Sequence, residues 1–322
     1  MRNATLLETD CSGRTGAATL LDDGAGQRVR DEGTVTGDYD AMTTLDAKIA
    51  HLRRLLTDLD RVVVCFSGGV DSGYLLAEAI GVLGDRAVAL TAVSPSLAPE
   101  EGTAARRLAE RLGARHLLVD TVEVDDPRYA ANPVNRCYFC KVEVYGRAVR
   151  EAGGLGDYRV VDGFNVDDRG DYRPGRQAAK EHGVRSPLDD AGFTKADIRE
   201  AARRLGLPVW NKPALACLSS RFPYGTAITP ARLTQVAACE RVLREHGFTV
   251  CRVRYFGERA RIEVAPEEVV RFRDAALLAD VTTRFRAAGF REVEVDPVGY
   301  RQGALNELAL AEASPRISSR TA

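Results

Sequence analysis

The sequence predicts an α/β fold, a parallel sheet flanked by helices and followed by a smaller α+β unit, on three observations. The apolar run Val62-Val63-Val64-Cys65-Phe66 stops at Ser67-Gly68-Gly69, and an apolar helical pattern begins directly after Asp71 and Ser72, so strand, tight loop and helix follow one another. Further short apolar runs alternate with helical patterns, which implies parallel strands joined by right-handed crossovers. From Ala214 the order changes to helix, hairpin, helix and strand, the make-up of a small α+β unit.

Taken in order, residues 1–41 are rich in Gly, Thr, Asp and Arg and lack apolar periodicity, so they read as a disordered extension in which Cys11 is an incidental thiol. Leu45, Ile49, Leu52, Leu55, Leu56 and Leu59 recur at helical spacing and predict an amphipathic helix. Arg86 to Val93 reads as the second strand, Glu100 to Leu112 as a helix ending at Gly113, and Arg115 to Val119 as the third strand. A helix from Asn135 to about Glu151, a fourth strand from Tyr158 to Gly163 and a helix from Lys195 to Leu205 complete this part. Ala214 to Gly225 reads as a loop. Then come a helix from Pro230 to Glu245 with Thr229 as N-cap, a hairpin of Phe248 to Tyr255 and Arg261 to Ala265 around Gly257, a helix from Glu267 to Ala288, and a strand from Arg291 to Val295. The first domain is placed at 42–212, the second at 213–312, and a disordered tail at 313–322.

A chain of 322 residues has room for two domains. Lys and Arg total 45 against 46 for Asp and Glu, a net charge of −1. That balance argues against a nucleic-acid partner, which normally demands a basic surplus. No stretch is long and apolar enough to span a bilayer and the N-terminus lacks a charged start followed by an apolar run, so a cytoplasmic protein is expected. The 7 cysteines are too dilute and irregular for a disulfide framework, which turns attention to metal or catalytic roles. The sequence leaves the oligomeric state open, a homo-oligomer included.

A strand that runs through a Ser-Gly-Gly turn into a helix is a phosphate site. Glycines let the backbone approach an anion, the helix N-terminus offers N–H groups and a positive dipole end, and Ser67 and Ser72 add hydroxyls. It is not a Walker A loop, because no Lys follows Gly69, nor a dinucleotide fingerprint, because Gly68, Gly69 and Gly73 have the wrong spacing. Ser67, Ser94 and Asp162-Gly163 all fall at carboxyl ends of predicted strands, where ligands of parallel sheets sit. The polar run Gly163 to Arg176 is too charged for core and is expected to bind something.

Cys137-x-x-Cys140 has several explanations. It could be a redox pair, part of a zinc site completed by Cys217 with His116 or His182, two of three thiolates on an iron–sulfur cluster with Cys217 as the third, or a pair of ordinary thiols. Cys217 could equally be a small buried hydrophobe, although Arg221 and Lys212 nearby would favour its thiolate. Cys65, Cys239 and Cys251 read as core. Glu240, Arg252, Arg254, Arg261 and Glu263 lie on elements that could face Cys217, and a solvated face explains them as well.

Ser67-Gly68-Gly69-Val70-Asp71-Ser72 resembles the PP-loop of the ATP pyrophosphatases, the adenine nucleotide alpha hydrolase-like (HUP) class of α/β fold. With Asp162-Gly163-Phe164-Asn165, Asp167-Asp168, Asp171 to Gly175, Arg185-Ser186-Pro187-Leu188 and above all Lys212 to Gly225, the chain is similar to the LarE-type ATP-dependent sulfur transferases of nickel-pincer nucleotide biosynthesis. The resemblance covers about Asp46 to Glu294. It implies that ATP with Mg²⁺ adenylylates a carboxylate of pyridinium-3,5-biscarboxylate mononucleotide, and that sulfur then displaces AMP to leave a thiocarboxylate. It implies ATP contacts at Ser67, Gly68, Gly69, Val70, Asp71, Ser72, Ser94 and Gly163, chemistry at Asp71, Cys217 and Arg221, and substrate or metal contacts at Glu240, Arg252 and Glu263. One branch of the family gives up the sulfur of the residue matched by Cys217, which becomes dehydroalanine. The branch that Cys137 and Cys140 match holds a [4Fe-4S] cluster on three cysteines, here Cys137, Cys140 and Cys217. A PP-loop tRNA thiolase and a nucleotide-binding metal or redox sensor are the competing readings.

Overall fold

A computed structural model describes residues 44–170, 174–213 and 216–301. Both predicted disordered ends, Cys11, and positions 171–173 and 214–215 of the two quoted motifs lie outside those residues.

Four parallel strands form the main sheet: β1 (Val62–Cys65), β2 (Ala87–Val93), β3 (Arg115–Asp120) and β4 (Arg159–Val161), in the order β3-β2-β1-β4. β1 occupies an inner position, pairing Val63 with Val88 on one side and with Val160 on the other. Its unbroken valine run suits a strand covered on both faces. Val62 and Val64 point into a core with Leu52, Leu75, Phe193 and Ile198, whereas Val63 points into one with Leu90, Tyr145 and Ala148, as the two-residue alternation of a strand requires.

The flanking helices are α1 (Leu45–Leu59), α2 (Val70–Leu83), α3 (Pro99–Arg111), α4 (Pro127–Ala130), α5 (Arg136–Leu155), α6 (Gly175–Glu181), α7 (Pro187–Asp190) and α8 (Lys195–Arg204). α1 starts at Thr44, whose hydroxyl accepts from the Ala47 N–H, and α8 starts with a reciprocal capping box between Thr194 and Asp197.

In the C-terminal part, β5 (Cys251–Phe256) and β6 (Arg259–Val264) form the antiparallel hairpin turning at Gly257, and β7 (Glu292–Val295) pairs parallel to β6. Helices α9 (Pro230–Glu245) and α10 (Ala275–Ala287) complete it, and the Thr229 hydroxyl accepts from the Arg232 N–H as the N-cap of α9. The single helix expected over 267–288 is two elements. Pro266–Arg273 winds as a 3-10 helix, and Asp274 turns extended and caps α10 by accepting from the N–H groups of Ala276 and Leu277. Ala98, Val124 and Tyr129, from the segments that follow β2 and β3, are buried in the same core as Leu243, Val253 and Ile262. The two parts therefore share apolar packing where the loops of the main sheet meet the small sheet. No helix among the described residues is long and apolar enough to cross a membrane.

Candidate active site

The loop from Ser67 to Ser72 is shaped by its glycines. Gly68 has φ +71°, and a Cβ there would lie 2.9 Å from both Cα and Cβ of Ala105 on α3, so neither backbone nor space admits a larger residue. Ser67 and Ser72 are tied hydroxyl to hydroxyl at 3.1 Å, and the Ser67 N–H donates to Ser72 Oγ at 3.2 Å. Gly69 precedes the first turn of α2 with no side chain capping it, which leaves the N–H groups around Val70 and Asp71 to an incoming anion. A Cβ on Gly163 would stand 2.9 Å from the Ser72 N, so the end of β4 abuts the start of α2 directly.

Two lysines distant in sequence converge on this loop. Lys212 Nζ donates to the Gly68 carbonyl at 3.1 Å and to Glu101 at 2.8 Å. Lys195, the first residue of α8, pairs with Asp71 Oδ2. Asp71 Oδ1 is buried without a hydrogen-bond partner, and such an orphaned carboxylate oxygen beside a phosphate loop fits a divalent cation such as Mg²⁺.

Much of the polar run after β4 is satisfied internally. Asp162 accepts from Tyr145 and Ser186, both at 2.7 Å, while Arg176 reaches Ser186 at 2.5 Å and lies over the Phe164 ring at 4.3 Å. Arg169 pairs with Asp189 at 2.6 Å. These groups hold the rim of the cleft in shape.

The loop carrying Cys217 is clamped through its carbonyl groups. Arg221 Nη1 donates to the carbonyls of Ala216 and Cys217 at 2.7 and 3.0 Å; Arg136 reaches that of Ser219 at 2.9 Å, Arg254 that of Ser220 at 2.9 Å, and Asn132 that of Pro223 at 2.7 Å. Arg221, Arg136, Arg254 and Asn132 are all buried, yet Cys217 itself is exposed. A second layer holds the clamps. Glu240 accepts Arg221 in a two-pronged pair and also binds Arg244 and the Val253 N–H, and Glu263 pairs with Arg254 at 2.7 Å. Of the five residues that could equally have formed a solvated face, Glu240, Arg252, Arg254 and Glu263 are interior, whereas Arg261 is partly exposed and pairs with Glu294 at 2.5 Å. Burial pushes the Glu240 carboxyl up, but Arg221, Arg252 and Arg244 together outweigh it and hold the carboxyl below its ordinary pKa. Arg252 differs, because among the described residues it reaches the Cys251 carbonyl at 2.7 Å and the Tyr300 ring and no carboxylate by hydrogen bond.

Cys137 and Cys140 lie in the first two turns of α5, exposed and half-buried respectively. Burial pushes the Cys140 thiol up to about 12, with the nearby Cys217, Glu123 and Cys137 adding to the effect and Lys141 opposing it. The three thiols are thus close enough to feel one another, but among the described residues no three His, Cys, Asp or Glu side chains gather tightly enough for a single metal ion. Cys239 and Cys251 are buried in the small-sheet core, and Cys65 is half-buried at the end of β1. Lys212 is engaged by the phosphate loop rather than by Cys217.

Sequence reading missed Lys195, Glu123, Tyr129, Asn132 and Arg136. Each acts through a partner 29 or more residues away, as with Ser94 and Glu123 or Tyr129 and Ser219, and no local pattern marks such a pair. Ser94 itself is bonded to Ser96 and Glu123 at the cleft end of β2.

No protein-family model matches the chain. It is 41% identical over 268 residues to the pyridinium-3,5-bisthiocarboxylic acid mononucleotide synthase of Lactiplantibacillus plantarum, covering 83% of this chain and 96% of that one. An uncharacterised Synechocystis protein is 47% identical over 264 residues, 82% of this chain and 98% of its own. The tRNA-specific 2-thiouridylase MnmA of Heliobacterium modesticaldum is 30% identical over 198 residues, 48% of this chain and 50% of its own.

Proposed function

The chain belongs to the LarE-type sulfur transferases, enzymes of the ATP-using PP-loop kind, and on that premise we propose that it converts carboxylates of pyridinium-3,5-biscarboxylate mononucleotide to thiocarboxylates for the nickel-pincer cofactor. One observation carries this reading: an exposed cysteine stands on a rigidly clamped loop whose Leu218 N–H donates to the Ser96 carbonyl at 2.9 Å, at the cleft end of β2. That bond supports a reading in which the Cys217 loop lies beside the carboxyl ends of the strands, where the phosphate loop also stands.

ATP would lie with its phosphates on Ser67, Gly68, Gly69, Val70 and Ser72, beside Gly163 and Ser94. Mg²⁺ at Asp71 would neutralise phosphate charge. A substrate carboxylate oxygen attacks the α-phosphorus, the bond to the bridging oxygen breaks and pyrophosphate leaves, while Lys195 and Lys212 stabilise the departing charge. A sulfur nucleophile at the Cys217 loop then attacks the acyl carbon and AMP departs with the bonding electrons. Arg221 keeps the loop in place from beneath, and Arg252 supplies a buried cation for an anionic part of the substrate. Glu240 and Glu263 hold Arg221 and Arg254 in position.

For the sulfur source we favour a [4Fe-4S] cluster on Cys137, Cys140 and Cys217, which would supply an open iron able to carry a sulfide. The other source is Cys217 itself, through cleavage of its Cβ–Sγ bond. Anaerobic purification with iron and sulfide analysis, then mass spectrometry of Cys217 after turnover, separates the two. Bound iron with an intact Cys217 supports the cluster, and dehydroalanine without iron contradicts it. The function as a whole fails if ATP, the pyridinium nucleotide and added sulfide yield no AMP, pyrophosphate and thiocarboxylate.

A further inference from the structure

Glu123 sits on the 3-10 turn Glu123–Asp125 that follows β3 and is 3% exposed. Its Oε1 accepts from the hydroxyls of Ser94 at 2.5 Å and Ser96 at 2.8 Å, while Oε2 is buried without a hydrogen-bond partner. Both donors are neutral. A carboxylate buried on such terms is destabilising in itself, and an unsatisfied buried oxygen in a native fold calls for a reason.

The reason lies in what the two serines join. Ser94 stands at the carboxyl end of β2, on the rim of the nucleotide cleft. Its Oγ also accepts from the Ser96 N–H at 3.1 Å, which closes a tight turn, and the Ser96 carbonyl accepts from Leu218, the residue after Cys217. Thirteen residues carry the chain from Glu123 to Arg136, and this stretch also grips the Cys217 loop from the other side, through Tyr129 to the Ser219 hydroxyl at 2.6 Å and Arg136 to the Ser219 carbonyl. Glu123 thus fixes the Ser94-to-Ser96 turn against the segment that cradles the sulfur-bearing loop.

We propose that Glu123 is a positioning residue that aligns the adenylate formed in the cleft with the Cys217 loop, a role that rests on the sulfur-transfer function set out above. The phosphate loop itself is tied elsewhere, through Ser67, Ser72 and Lys212, so Ser94 at the edge of the nucleotide is the one proposed ATP contact that Glu123 touches, and its hydroxyl stays bonded to Ser96 without Glu123. Loss of Glu123 leaves ATP binding and adenylate formation in place and lets water, rather than sulfur, consume the adenylate.

The test compares wild type, E123A, E123Q and S96A, each purified anaerobically. The affinity for α,β-methylene-ATP is measured, and AMP and thiocarboxylate are counted after reaction with ATP, the pyridinium biscarboxylate nucleotide and sulfide. In E123A, analogue affinity stays within about twofold, AMP formation within about threefold, and thiocarboxylate per AMP falls about tenfold or more. E123Q, whose amide oxygen still accepts both hydroxyls, recovers most of the ratio, a rescue that a loss of charge or bulk packing would not predict. S96A, which removes one hydroxyl without a core cavity, lowers the ratio in the same direction and carries the test if E123A does not fold. An unchanged ratio in E123A and S96A, analogue affinity that falls in step with product, or an E123Q no better than E123A overturns the role. A wild-type enzyme that forms no thiocarboxylate instead overturns the function on which it rests.

Discussion

Arg221 and Glu240 meet wholly inside the protein, with Nε to Oε1 at 2.7 Å and Nη2 to Oε2 at 3.1 Å, and side-chain exposures of 2% and 0%. The same guanidinium binds the carbonyls of Ala216 and Cys217. One planar, five-donor group therefore joins the α9 carboxylate to the loop that carries the exposed Cys217, a geometry that Lys cannot reproduce.

Breaking this pair leaves an uncompensated buried charge. Glu240→Ala and Arg221→Ala are expected to lose about 3–5 kcal/mol of stability, measured by urea denaturation, and Arg221→Lys should release the Cys217 loop while retaining the charge. Glu240 has a depressed pKa in the folded state, so its contribution is fully present above the unfolded value of about 4.3 and is lost as pH falls through the lower folded value. Wild-type stability should drop with falling pH in that acid window, and Glu240→Gln should be weaker at neutral pH and flatter below it.

Gly68→Ala places a Cβ 2.9 Å from backbone and side-chain atoms of Ala105 at a φ of +71°. The strain, about 1–3 kcal/mol, must be relieved by moving the phosphate loop. ATP-dependent pyrophosphate release should fall more than tenfold while the circular dichroism spectrum is retained, and Gly163→Ala, which drives a Cβ against Ser72 N, should behave alike.

Lys195 and Lys212 hold Asp71 and the Gly68 carbonyl in the structure. If they stabilise departing pyrophosphate, Lys195→Ala and Lys212→Ala should each lower kcat for pyrophosphate release by about 10²-fold or more, the magnitude typical of losing one charge-stabilising donor. Unchanged kcat with a raised KM for ATP would confine them to ground-state binding.

The parts of the fold written in local chemistry were legible. The valine run of β1, the leucine spacing of α1 and the Thr229 cap of α9 each depend on residues within a few positions of one another. The break before α10 was not, because Asp274 reads as an ordinary surface acid until its cap bonds are seen. In the site, the Ser-Gly-Gly turn and the Cys137-x-x-Cys140 pair could be singled out by spacing, whereas Cys217 stood out through its loop and the family resemblance. Glu240 and Glu263 could be singled out but not placed, since their burial depends on Arg221 and Arg254 arriving from other elements. Lys195 carried no signal at all, being 124 residues from Asp71.

The most direct test of the account is Cys217→Ser, assayed beside wild type anaerobically with ATP, sulfide and pyridinium-3,5-biscarboxylate mononucleotide, with AMP, pyrophosphate and the mass of the pyridinium product followed together. The hydroxyl preserves the shape of the loop, whose clamps act on its backbone. AMP and pyrophosphate should still form while no product carries sulfur in place of oxygen; a thiocarboxylate made at the wild-type rate would contradict the placement of sulfur transfer at Cys217.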